Sequence, residues 1–405
     1  MYKPVLSIDV SKSKSFAAAF LNNGEPYLKP FPFKHSPKDA GLLIRHLQSL
    51  EWETGVRPDV VLEATGNYSK PISGFFEKSG YNVVVLNPLQ THQQKAKSIR
   101  KVKTDSIDAT RIAQVYYLYN CKANNPLPDC IADLRNLCRQ YAALIKLYTE
   151  TQLHMQNILD LVFPNYASVF THICCKSSIR LLSEYSSASE FLSADRYHLV
   201  EIIKSSAGTH SLQWAEDKVD RLLTAARESL PNQQAQQSNA RVLKDYIRIL
   251  LTYQDVLADL RAQMILQASL SPVYPLLRSI PGVGELTAIT ILAEIGDVNM
   301  FPTSKQLVAF AGLDPSVFES GKFKASNNRI SKRGSAYLRK ALYQAVIVGI
   351  TAHSEKPVNP ALHAFYTKKI TEGKAGKVAM IACCNKLLRI IYGVWRNGTP
   401  FINVQ

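Results

Sequence analysis

The opening segment restricts the fold more than any other part of the chain. VLSIDV, KSFAAAFLN and EPYLKPFPF each read as a strand, and Asn22-Asn23-Gly24 supplies a turn between the second and third. A helix follows the capping residue Ser36, with Leu42, Leu43, Leu47 and Leu50 on one side. DVVLEATG is a β-branched run ending in a glycine turn, which suits a buried strand. NYSKPISGFFEKSG predicts a helix stopped by Gly80, and YNVVVLNP another buried strand. A basic loop comes next, then a helix from near Asp105. Three antiparallel strands followed by alternating helices and strands are the order of an α/β RNase H-like domain, expected over 1–125.

Pro126 and Pro128 mark the end of that domain. Apolar residues then recur at helical spacing from Ile131 to Leu161, and again from Val242 to Ile265. Two long amphipathic helices of this kind pair as an antiparallel coiled-coil arm or join another chain, so an arm is expected over 126–269. Residues 163–230 between them read as a helical insertion with Ser- and Gln-rich loops. The remainder, 270–405, reads as a mostly α C-terminal domain. There IPGVGELTAITILAEIG resembles a helix-hairpin-helix whose Gly282–Gly284 turn presents backbone N–H groups to a phosphate; a plain helix–helix turn explains it equally well.

Four carboxylates carry the chemistry. Asp9 lies between Ile8 and Val10 in the first strand, where an ionised group is costly unless something pairs with it. Glu63 ends the strand expected beside it. Asp105 and Asp108 are three apart in KTDSIDATRIA, which puts both on one helix face. Taken singly each has an ordinary explanation, such as acids favouring a helix N-terminus. Together they are four hard oxygen donors, suited to Mg²⁺, and a pair of such ions clamps the attacking and leaving oxygens in phosphoryl transfer. Lys95, Lys97, Arg100, Lys101, Lys103 and Arg111 stand nearby in sequence as candidate phosphate contacts.

Charge points the same way. The 405 residues carry a formal net charge of +16, and from Gly321 to Gln405 fifteen Lys and Arg stand against Glu355 and Glu372, a local net of +13. A one-sided excess of this kind is the footprint of a polyanion, because each phosphate neutralised releases condensed counterions. With 46% hydrophobic and 20% charged residues the chain reads as globular, and the sequence shows no uninterrupted apolar run near the ~20 residues that span a bilayer. The N-terminus lacks a signal peptide's layout, and the seven cysteines include no C-x-x-C pair. The expectation is a protein with reduced thiols in a bacterial cytoplasm, with no membrane partner.

SIDVSKSK, VLEATGNY, NPLQ followed by KTDSIDA, FAGLDPSVFESG, RISKRGSAYLRKAL and GKVAMIACCNKLLRIIYGV together resemble the IS110 family of transposases, over roughly Val5 to Leu118 and Leu276 to Thr399. The resemblance implies a RuvC-like catalytic domain with a complete Asp9, Glu63, Asp105 and Asp108 tetrad. It also implies a serine nucleophile in the C-terminal domain that forms a transient phosphoserine link with DNA. The matching position is Ser320, with Ser316 the competing one, and Lys322, Lys324, Arg329, Lys332 and Arg333 become phosphate contacts. A structured guide RNA from the element and a dimer or tetramer are further implied. A RuvC-like nuclease using water as nucleophile, or a non-catalytic nucleic-acid scaffold, would share much of this pattern.

Overall fold

The structure is a computed structural model. It describes residues 3–88, 91, 104–119, 127–206, 210–232, 234–315, 319–320, 323–324, 329–354 and 356–402, with the backbone alone at 319, 320, 323, 324 and 353. The chain divides into two compact units, Met1–Pro126 and Leu127–Gln405.

The first unit is built on a five-stranded sheet of order β3-β2-β1-β4-β5: β1 Val5–Asp9, β2 Lys14–Asn22, β3 Glu25–Lys34, β4 Asp59–Glu63 and β5 Asn82–Leu86. β1, β2 and β3 pair antiparallel, whereas β4 runs parallel to both β1 and β5. That order and those directions are those of an RNase H-like sheet. Helices cover both faces. Leu6, Ile8, Val60 and Leu62 point to the side of α1 (Pro37–Thr54) and α2 (Ser69–Lys78), where they meet Leu43, Leu47, Leu50 and Phe76. The alternate residues Val5 and Val61 point to the side of α3 (Asp105–Tyr119) and meet Ala109, Ile112 and Tyr116. Ser36 caps α1 by accepting from the Asp39 N–H.

In the second unit, α4 (Asp129–Val162) and α9 (Gln236–Ser269) are 34 residues each and run antiparallel. Leu134 and Cys138 share a core with Met264 and Ala268 at one end. Met155 and Leu159 share another with Leu243 and Ile247 at the opposite end. Between these ends Tyr148 meets Tyr253 edge-on and accepts a hydrogen bond from Gln254 at 2.9 Å. Residues 163–230 fold as α5 (Lys176–Glu184), α6 (Ala188–Ser193), α7 (Arg196–Ser206) and α8 (Leu212–Arg227). They form a lobe with its own core, centred on Phe163, Tyr166 and Phe191, at the far end of the helix pair.

The near end carries the C-terminal lobe: α10 (Val273–Arg278), α11 (Glu285–Ile295), α12 (Ser304–Phe310), α13 (Ala336–Ile350), α14 (Pro360–Thr371) and α15 (Gly376–Asn397). Two short hairpins join it, β6 (Glu319–Ser320) with β7 (Phe323–Lys324) and β8 (Ala352–His353) with β9 (Lys356–Pro357). The sequence reading found no apolar run long enough for a membrane. Among the described residues α15 alone is long and apolar enough by length and composition. Its Ala379, Cys383, Leu387 and Ile391 are buried in the lobe core, and Lys386 and Arg389 break its other faces. A stripe facing a large core makes a helix apolar without any lipid.

Candidate active site

Alternation along the strands decides where the first two acids point. Asp9 follows Val5 and Ser7 on the α3 face of β1, and Glu63 follows Asp59 and Val61 on the same face of β4. The two strands are parallel and in register from Val5 opposite Asp59 to Ile8 opposite Leu62, so Asp9 and Glu63 end neighbouring strands about 4.8 Å apart.

The direction of α3 brings the other two to the same corner. Tyr117 at its C-terminal end donates to the Lys3 carbonyl (2.9 Å), and Tyr116 donates to Asp59 Oδ2 (2.8 Å). Both contacts lie where β1 and β4 begin. α3 therefore runs against these strands and its first turn lies toward their far ends. Asp108 precedes Tyr116 by eight residues, about 12 Å of helix, and Glu63 follows Asp59 by four residues, about 13 Å of strand. Asp105 and Asp108 thus stand in the first turn of α3 at the corner where Asp9 and Glu63 end their strands.

The side chains at this corner are not drawn into a closed cluster. Among the described residues no group of three or more His, Cys, Asp or Glu is close enough to hold a metal ion. Asp108 is buried and ion-paired with Arg111 at 3.0 Å. Arg111, read from sequence as a phosphate contact, serves here as the counter-charge of a carboxylate. The donor set itself, carboxylate oxygens alone, fits a hard divalent cation. Lys95, Lys97, Arg100, Lys101 and Lys103 lie outside the described residues.

Ser320 belongs to the second unit, where its backbone pairs with Phe323 across the β6–β7 hairpin. Ser316, Gly321 and Lys322 lie outside the described residues, and Lys324 is described in its backbone within β7. The segment that carries the hairpin has a pinned base. Pro315 bridges Ile330, the Ser331 N–H donates to the Asp314 carbonyl (2.9 Å), and Ser331 Oγ donates to Asp314 Oδ1 (2.5 Å). Arg339 donates to the carbonyls of Ala311 (3.0 Å) and Gly334 (2.8 Å). A Cβ on Gly334 would lie 1.8 Å from the Phe310 carbonyl oxygen, so only glycine allows this backbone approach. Arg329, Lys332 and Arg333 are exposed at this base, and Lys332 holds a left-handed backbone (φ +53°) that ordinary residues rarely adopt. The Asp314–Ser331 pin escaped the sequence reading; an aspartate before proline seventeen residues from a serine carries no local pattern.

In the turn between α10 and α11 the two glycines have different surroundings. A Cβ on Gly282 (φ +94°) would lie 2.8 Å from the Ala345 carbonyl oxygen, so this glycine seats the turn against α13. Gly284 has open space beside it and precedes the first turn of α11.

Comparison with known proteins gives these residues a family. The IS110-type DEDD family described as "Transposase" matches residues 6–164, and the family described as "Transposase IS116/IS110/IS902 family" matches residues 274–367. An uncharacterized 43.6 kDa protein of insertion element IS110 from Streptomyces coelicolor is 24% identical over 302 residues, 74% of this chain and 72% of that protein. The pilin gene-inverting protein of Moraxella bovis is 37% identical over 127 residues, 31% of this chain and 38% of that protein. RuvC of Thermus thermophilus in complex with a Holliday junction substrate overlaps 30% of this chain and 100% of its own, at 15% identity and a TM-score of 0.23. The RNase H-like fold rests on strand order and direction, not on that overlap. With its two matched segments covering the acidic corner and the C-terminal lobe, the chain belongs to the IS110 family of transposases.

Proposed function

We propose that this DNA transposase cuts and exchanges strands through a transient phosphoserine on Ser320, at a site completed by the acidic corner of the first unit. The observation that carries the proposal is the placement of Asp9, Glu63, Asp105 and Asp108 at one corner, two on neighbouring strand ends and two on the helix that crosses them. These carboxylates would hold divalent cations, Mg²⁺ by donor chemistry and two in number. When bound, such ions stabilise charge on the phosphoryl oxygens and lower the pKa of a coordinated hydroxyl. For Asp108 to take part, Arg111 must release it.

In this reading the Ser320 Oγ–P bond forms as the bond from phosphorus to the leaving sugar oxygen breaks; the serine proton passes to a carboxylate of the corner, and the leaving oxygen takes a proton from solvent to become a hydroxyl. Attack by a sugar hydroxyl of the partner strand reverses the step. One phosphoester replaces another each time, so no external energy source is needed. Lys95, Lys97, Arg100, Lys101, Lys103, Lys322, Lys324, Arg329, Lys332 and Arg333 hold backbone phosphates around the exchange, and the open turn at Gly284 offers a further phosphate its N–H groups. Sequence choice is delegated to a structured guide RNA of the element. The helix pair α4/α9 acts as a coiled-coil arm that assembles a dimer or tetramer; Leu147, Leu153, Ile249, Leu251 and Val256 are exposed along it. The protein works in the bacterial cytoplasm.

Ser320→Ala tests the central step. Incubated with donor and target DNA and the guide RNA, the wild-type chain is expected to leave a covalent protein–DNA adduct on a denaturing gel, and the variant none. An adduct that persists in the variant excludes Ser320, and cleavage without any adduct favours water as nucleophile.

A further inference from the structure

We infer that Lys14 and Lys34 form a two-lysine clasp beside the acidic corner, which holds a backbone phosphate of the DNA strand being cut. The inference rests on that corner being the place of cutting, and not on Ser320 being the nucleophile.

Of the segment SIDVSKSK only Asp9 has a role so far, yet the segment continues into β2. Register and alternation place its last lysine. Asp9 stands directly opposite Phe16 across β1 and β2, so the two side chains share a face. Phe16 packs on the α3 side of the sheet, as Ala18 and Phe20 do. Lys14, two residues before Phe16, points to that side as well. Its ammonium lies over the Phe16 ring, 5.5 Å from the centroid. The ring thus holds this charge one strand away from Asp9.

Lys34 comes to the same face. It is the register partner of Lys14 across β2 and β3. Its neighbour Phe33 is buried on the side of α1 and α2, so Lys34 points the other way, to the α3 side. Directly opposed residues of an antiparallel pair have Cβ atoms about 4.5–5.5 Å apart, and like charges placed there repel. Both lysines are exposed, and among the described residues neither ammonium has an ion pair. Asp39 accepts from the Lys34 backbone N–H (2.7 Å), not from its side chain.

The pair is fixed from behind. Ser15 follows Lys14 and is fully buried on the opposite face. Its hydroxyl accepts from the Ser11 N–H (3.2 Å) and bonds at 2.7 Å to Nε2 of His35, the residue after Lys34. Ser11 Oγ donates to the Lys14 carbonyl. These bonds tie the end of β3 and the turn before β2 together where the lysines stand. Two cations that repel are held side by side, and an anion between them relieves the repulsion. Lysines are point charges without the planar fork that reads a base edge, so the anion is a phosphodiester. Its place next to Asp9 makes it part of the strand brought to the acids, which is the DNA.

The test uses the full chain carrying Lys14→Gln and Lys34→Gln together, with a DNA duplex of the element end. Ca²⁺ at a fixed concentration replaces Mg²⁺, and binding is read instead of cutting. Losing one phosphate contact is expected to lower the slope of log affinity against log salt by about 0.9, and affinity near ~0.1 M salt about tenfold. Single methylphosphonate linkages, each removing one phosphate charge, are then placed in turn along the duplex. The wild-type chain should lose affinity at the linkage the clasp holds, and the double variant should be indifferent there. Without DNA the double variant should melt no lower than wild type, because a repelling pair is gone; lysines with a merely structural role would lower it. An unchanged slope, or the same methylphosphonate profile in both proteins, would overturn the inference. So would a loss seen with an RNA hairpin and not with the duplex. The Ser320 adduct assay stays independent: an adduct with an unchanged slope removes the clasp alone, and a lowered slope without an adduct removes the nucleophile alone.

Discussion

Asp9 and Asp59 stand on the α3 face of one sheet, at opposite ends of it, and their surroundings separate their roles. Asp59 is buried and fully partnered, with Lys3 at 2.7 Å, Tyr116 at 2.8 Å and Asn82 at 3.4 Å. Removing it takes a hydrogen bond from the buried Tyr116 hydroxyl and an ion pair from Lys3, so Asp59→Ala is expected to lower stability by about 2 kcal/mol, read by urea unfolding. Asp9 and Glu63 instead bring like charges to neighbouring strand ends. Glu63→Gln removes one of the two charges, so it should keep or raise the metal-free melting temperature. If these acids hold the cation as proposed, strand exchange should fall by about 10³-fold or more in either Asp9→Asn or Glu63→Gln. A variant that lost stability in proportion to activity would make these acids structural.

Among the elements, the root of the helix pair and the base of the basic loop are joined by one buried carboxylate. Glu294, near the end of α11, is 1% exposed and bonded to Arg139 of α4 at 2.8 and 3.0 Å, while Arg135 caps the α11 carbonyls of Ala293 and Glu294. Burial alone would raise the Glu294 pKa. Hydrogen bonds from Arg139 and from Ser335, which also caps α13, outweigh it together with the charges of Arg139 and Arg135, and hold the carboxyl below its ordinary value. A depressed folded pKa gives stability that is complete above the unfolded value near ~4.3 and is lost as pH falls through the folded one. The stability that Glu294 contributes to the second unit should therefore be intact at neutral pH and fall only as pH drops below its unfolded value. Glu294→Ala, which removes the buried partner of a half-exposed Arg139, is expected to cost about 1.5–3 kcal/mol and to remove the part of the acid limb that Glu294 sets. An unchanged acid limb in calorimetry would show that other carboxylates set it.

At the scale of the molecule, the acidic corner and Ser320 belong to different compact units. The composite site proposed above therefore draws on residues of both units, of one chain or of two. The arm reading supplies the second route, and light scattering of the free protein is expected to give a dimer or tetramer. A monomer both with and without nucleic acid would leave assembly to a single chain. Charge acts at the same scale. A net +16 makes any nucleic-acid affinity steeply salt-dependent, so activity should fall with ionic strength long before the fold does.

Much of this was legible in the chain itself, because local physics repeats along it. Short apolar and β-branched runs bounded by turn residues located the strands to within about three residues, and the capping Ser36 located the start of α1; within a strand, side chains alternate between faces. The same alternation that buries Ile8 and Leu62 turns Asp9 and Glu63 to the opposite face, so the acidic pair was implicit in the pattern. The direction of α3, the lobe formed by 163–230, the Asp314–Ser331 pin and the Arg139–Glu294 pair were not legible, since each joins residues distant in sequence through side-chain geometry alone. Sequence thus determined which groups are present and which face of its element each occupies. Tertiary structure decided which of them meet, because a contact between elements depends on packing that no local period encodes.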